Sequence, residues 1–149
     1  MLSNPNIKPS DRVTVLGAIN PQSATTAKST GWVNAGLFES LLALITVGAL
    51  GSSGTVDAKL EQATSSGGAG AKDVTGKSIT QLTQAGTDDN KQVAINLKTA
   101  DLDVQNGFCF VRLTITPAVA ASLIDGVLLG LDARFQPGTA ATTLDEVVG

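Results

Sequence analysis

The chain has 149 residues, 42% of them apolar and 15% charged, with a net charge of −3 at neutral pH. That is one domain with enough apolar residues for a core, and its few cations form no cluster, which excludes a nucleic-acid backbone as a partner. Histidine and tyrosine are absent and Cys109 is the single cysteine, which excludes Ser-His-Asp and Cys-His catalysis, histidine-ligated metals and an internal disulfide framework.

Residues 1–11 are polar, carry Pro5 and Pro9 and show no periodicity, which predicts an extended arm without the apolar core of a secretory leader. Arg12–Ile19 alternates as a strand does, and 20–31, "NPQSATTAKSTG", reads as a loop. Phe38–Val47 is apolar and rich in β-branched residues. The run Leu41–Leu50 is too short to span a bilayer by about half, so it reads as a core segment of a soluble chain with no membrane partner. In Thr55–Ala63, Val56, Ala58 and Leu60 alternate with Asp57, Lys59 and Glu61, the pattern of a half-buried antiparallel strand.

Val74, and Ile79 with Leu82, predict two short strands around Gly76, and Val93, Ile95 and Leu97 a further one. Phe108–Thr116 sets Cys109, Val111, Leu113 and Ile115 against Phe110, Arg112, Thr114 and Thr116, with Pro117 predicted to end the strand. Residues 117–125 read as a helical turn or a wide loop. Gly126–Phe135 places Val127, Leu129, Leu131, Ala133 and Phe135 on one face, and a tail follows. About eight strands with turns between them predict an all-β fold, an antiparallel β-sandwich of jelly-roll type. The organisation expected is an arm and first strand over 1–30, a sandwich over 31–138 and a tail over 139–149.

The stretch Thr64–Asp73, "TSSGGAGAKD", has the glycines and lysine of a phosphate cradle. However, Asp73 follows Lys72, no helix is predicted after it, and Asp73 stands where a dinucleotide motif needs its third glycine. The stretch therefore reads as a turn between two antiparallel strands. Asp88-Asp89 reads as turn chemistry, and Asp101 with Asp103 offers too few oxygens for calcium. Trp32 reads as core or interface packing rather than a sugar platform, and Cys109 as a buried, inert thiol. Phe110 either lies under a covered face or marks a patch that another chain covers. No catalytic residue, cofactor or metal site is expected, and the chain reads as a non-enzyme.

The order "VDAKLEQA", "KDVTG", "FCFVRLTIT" and "GVLLGLDARFQPG" resembles the head decoration (cement) proteins of tailed bacteriophages, small structural proteins often encoded beside the major capsid protein. The matching positions are Val56, Lys59, Leu60, Asp73, Val74, Gly76, Val111, Arg112, Leu113, Arg134 and Pro137, within residues 31–138. Phe110 stands for the usual aromatic before Val-Arg, and Lys72 replaces the aromatic common before Asp-Val. The resemblance implies a sandwich on the outer surface of the virion, present in the host cytoplasm during assembly. There it would clamp neighbouring major capsid protein subunits, commonly as a homotrimer. Tail or head–tail connector proteins and a carbohydrate-binding spike are the alternatives. The apolar positions expected at a capsid or subunit interface are Leu2, Ile7, Val13, Val15, Phe110, Val147 and Val148.

Overall fold

The computed structural model describes residues 6–135 and 144–149; Leu2, Pro5 and Pro137 lie outside them. A single helical turn, α1 (Pro9–Arg12), leads into ten strands. These are β1 (Val13–Ala24), β2 (Lys28–Ser29), β3 (Val33–Asn34), β4 (Phe38–Val47) and β5 (Thr55–Ala63). Then come β6 (Lys72–Ser78), β7 (Leu82–Thr83), β8 (Gln92–Lys98), β9 (Phe110–Ala118) and β10 (Ser122–Ala133). No helix among the described residues is long and apolar enough to cross a membrane.

All pairings are antiparallel, in a four-stranded sheet ordered β1-β10-β4-β8 and a six-stranded sheet ordered β2-β9-β5-β6, with β3 also on β9 and β7 on β5. Taking the two-residue β2 and β3 as one strand and setting β7 aside leaves eight. The first pairs with the last, the second with the seventh, the third with the sixth and the fourth with the fifth. That is a long hairpin rolled on itself, the jelly roll that the sequence predicts.

Period-two alternation builds the core between the sheets. Leu41, Ala43, Ile45 and Val47 from β4, with Ile95, Leu97, Ile124 and Leu128, meet Val56, Ala58, Leu60, Val111, Leu113 and Ile115 from the other layer, all buried. Two glycines of β10 set the spacing. A Cβ on Gly126 would lie 2.9 Å from Leu113 Cδ2 and Ile115 Cδ1, and one on Gly130 2.7 Å from the Phe38 ring.

The structure corrects several element boundaries. β1 runs through the predicted loop to Ala24, with register shifts between Val15 and Gly17 and between Ile19 and Gln22. Pro21 falls in the second shift, where a bulge relieves it of a ladder bond. β9 continues past Pro117, which is buried opposite Val56. Beyond Ile115 no β2 partner remains, so β9 has β5 alone beside it, and a proline is tolerated there. β6 spans Gly76, which takes φ +74° within an irregularity where the β5–β6 register shifts between Lys59 and Glu61. Pro9–Arg12 is helical where an extended arm is expected, because proline suits a first helical turn.

Candidate functional site

The outer faces of the two sheets differ in kind. Register lines the outward residues of the four-stranded sheet into rows. The first row is Val13, Leu131, Ser40 and Lys98, the second Val15, Leu129, Leu42 and Asn96. The third is Ala18, Val127, Leu44 and Ala94, and the fourth Asp125, Thr46 and Gln92. Leu123 extends the apolar stripe at 47% exposure, and Leu44 in its middle is 37% exposed. Among the described residues no strand or helix forms a second layer over this face, and α1 packs against β1 and β10.

The six-stranded sheet turns charges outward and pairs them. Glu61 accepts from Arg112 Nε at 2.8 Å and from Thr114 Oγ1 at 2.6 Å. Lys59 Nζ lies 2.7 Å from Asp73 and 3.8 Å from Glu61. Burial pushes the Glu61 carboxyl up, but the hydrogen bonds from Arg112 and Thr114 and the charges of Arg112 and Lys59 outweigh it and hold it below its usual range. The hydrogen bond to Asp73 raises Lys59. Lys59, Asp73 and Arg112, three polar positions that carry the resemblance, thus sit in one network.

The glycine-rich stretch is the β5–β6 hairpin loop. Its amides serve the loop itself: Thr64 N–H donates to Ala69, Gly68 N–H to the Ser65 carbonyl and Ala69 N–H to Ser65 Oγ. Gly68, at φ +83°, abuts Trp32 so closely that a Cβ would stand 2.5 Å from the indole Nε1. Lys72 pairs with Asp103 at 2.6 Å and stacks 4.1 Å from the Phe108 ring centre. With these amides and the lysine engaged, the loop reads as a clasp over aromatic residues rather than a phosphate cradle. Trp32 carries the Arg112 guanidinium 4.6 Å above its ring, so one face of the indole is closed to a sugar. It lies outside the core, half-buried.

The candidate carboxylates are also engaged separately. Asp88 accepts from Thr83 N–H and pairs with Lys91, and Asp89 caps Leu50 N–H. Asp101 pairs with Lys77 at 3.2 Å, while Asp103 pairs with Lys72 and accepts from Asn106. The Lys91 bond lowers Asp88, the Lys98 backbone N–H lowers Asp101 and the Lys72 bond lowers Asp103. Among the described residues no three His, Cys, Asp or Glu side chains gather to hold a metal ion.

A cleft of about 600 Å³ opens at one end of the sandwich beside Phe108, Val104 and Cys109, with Glu39, Lys98 and Arg134 around it. Arg134 pairs with Glu39 at 3.4 Å. Cys109 is only half-buried, since it precedes β9 at the cleft wall rather than lying between the sheets. Its expected burial is corrected on that ground.

The expected interface residues do not form one patch. Val13 and Val15 lie half-buried in the first two rows of the four-stranded face, while Phe110, half-buried, belongs to the outer face of the other sheet beside Ala63 and Asn34. Ile7 is half-buried, and Val147 and Val148 are exposed. Lys8 Nζ donates to the Gly149 carbonyl, which brings the two terminal segments together. The apolar face also carries Leu42, Leu44, Leu123, Val127, Leu129 and Leu131, which were not among the expected interface residues. The signal for them was present: β4 and β10 are apolar at both parities, which an antiparallel sandwich with one wet face does not require. No protein-family model matches the chain, and no curated protein matches it.

Proposed function

We propose that the protein is a bacteriophage head decoration (cement) protein, a non-enzymatic jelly roll that binds the outer surface of the capsid and stabilises contacts between major capsid protein subunits. The observation that carries this reading is the four-stranded sheet's uncovered apolar face. A stripe of Val and Leu across three adjacent strands of a domain surface gains free energy when something covers it. The other sheet adds weight, because Lys59, Glu61, Asp73 and Arg112 are engaged with one another. The sequence resemblance supplies the kind of assembly.

The test incubates the purified chain with expanded capsids that lack it and pellets them. Saturable co-sedimentation with a rise in the temperature of capsid disruption is expected; a chain left in the supernatant overturns the reading. Removing residues 1–11 separates the contribution of the arm. Loss of capsid binding places the arm in the contact, and unchanged binding removes it.

A further inference from the structure

We infer that the apolar face of the four-stranded sheet is covered by the same face of a second copy of this chain, packed sheet on sheet about a two-fold axis with the strands of the two copies running antiparallel. The inference rests on the reading of the protein as an assembly component but assigns this face to a contact between copies, leaving the capsid contact to other surfaces, and it is argued from area and charge.

Four strands about 4.8 Å apart and about nine residues long present roughly 19 Å by 30 Å, or about 600 Å² per copy. Two such faces bury about 1,200 Å² together, the lower bound of a standard specific interface. A partner that touched only a corner of the face would leave most of its leucines in water. A second copy presents the same apolar rows and packs on them as the two sheets of a sandwich do.

Charge fixes the direction. The face carries Lys98 in its first row and Asp125 in its fourth, with neutral side chains in the rows between; the Lys77–Asp101 pair, which borders its first two rows, is neutral as a pair. Parallel stacking would set the two Asp125 ends together and the two Lys98 ends together. Antiparallel stacking sets the Lys98 end of each copy over the Asp125 end of the other. It also lays the second row, Val15, Leu129 and Leu42, against the partner's third-row apolar residues. The first-row pair Val13 and Leu131 then comes over the shallow depression of about 320 Å³ beside Pro21, Thr46, Leu123 and Asp125. A face paired with itself closes at two copies, so the two-fold arrangement differs from the three-fold one that the resemblance implies.

The mass in solution tests this without any capsid. Sedimentation of the full chain should show a concentration-dependent species of about 30 kDa, twice the 15.1 kDa of one copy. Leu129→Lys, at the centre of the face, should weaken the dimer at least about 100-fold, and Thr116→Lys on the other sheet should leave it unchanged. Should Leu129→Lys fail to fold, Val127→Thr keeps the strand propensity and should weaken the dimer in the same direction. Lys98→Glu should weaken it, and adding Asp125→Lys should restore it.

A monomer up to about 1 mM, the weak limit of a specific contact, overturns the inference, as does a trimer or a dimer indifferent to Leu129→Lys. A charge swap that does not restore the dimer overturns the antiparallel direction. The two readings fail separately. A monomer that pellets with capsids sinks the dimer alone, and a dimer that ignores capsids sinks the decoration role alone.

Discussion

On the four-stranded sheet the outward side chains include Val13, Val15, Leu42, Leu44, Val127, Leu129 and Leu131, with the polar Ser40, Asn96, Lys98, Thr46, Gln92 and Asp125 around them; on the six-stranded sheet they include Lys59, Glu61, Asp73, Arg112 and Thr114, with Phe110. Both layers lean on one core, so the contrast does not come from packing inside. The polar face is complete in itself: each charge in the network has a partner on the same sheet, and the hairpin loop is folded down on Trp32. The apolar face has no such closure. Its Val and Leu side chains have neither hydrogen-bonding capacity nor a described layer above them. One face therefore contributes to the stability of a single copy, and the other is the face assigned to the proposed contact between copies.

Damage to what the faces share should be the largest effect. Leu60, fully buried on β5, meets the opposite layer, and Leu60→Ala should lower the unfolding free energy by about 2–5 kcal/mol. Chemical denaturation reads this directly. A loss well under 1 kcal/mol would mean that the sheets are not jointly supported. Next comes the polar face. Glu61→Gln keeps the shape but removes the charge that accepts from Arg112 and Thr114, and should cost about 1–3 kcal/mol. The mass of the assembly should not move. A change of mass without a change of stability would reverse the roles assigned to the two faces.

The loop gives an intermediate effect. Gly68→Ala places a methyl at φ +83° against the indole edge, and should cost about 1–3 kcal/mol. The Trp32 fluorescence should shift as the clasp lifts, and unchanged emission would show that the loop does not rest on the ring.

Acid should act through the same polar pairs. Glu61, Asp88, Asp101 and Asp103 titrate lower in the folded chain than their usual values. Their stabilisation is present above the unfolded pKa and is lost as pH falls through the folded one. The melting temperature should therefore hold down to about pH 5 and decline below about pH 4. Lys59 is raised, so its contribution is full below its ordinary pKa and is lost only as pH rises through the higher folded value. A chain whose melting temperature stayed flat from pH 6 to pH 3 would show the network to be idle.

The fold was legible because alternation is local. β4 and β5 fall on the predicted runs Phe38–Val47 and Thr55–Ala63, and the two faces of β9 are sorted as Val111, Leu113 and Ile115 require. Where the reading missed, a long-range partner decided. Pro21 and Pro117 look like strand ends in sequence, yet a bulge and a one-sided ladder accommodate them. Which apolar parity of β10 faces inward depends on Gly126 and Gly130, whose absent side chains admit Leu113, Ile115 and Phe38 from other strands. Val127, Leu129 and Leu131 were grouped correctly, but that they point outward is fixed only by the layer across the core. Phe110 was separated from Val13 and Val15 for the same reason, since sequence does not say which sheet a strand joins.

The smallest effect is the most direct probe of the contrast. Leu42→Thr replaces an outward, half-buried side chain in the second row of the four-stranded face with a β-branched residue that suits a strand. In a single copy it leaves the core untouched, so unfolding at high dilution should change by no more than about 0.5 kcal/mol. At high concentration, where the two faces meet, the same substitution should lower the fraction associated. A loss above about 2 kcal/mol in the dilute chain would mean that Leu42 is already covered within one copy, and the apolar face would then be part of the monomer's core rather than its outside.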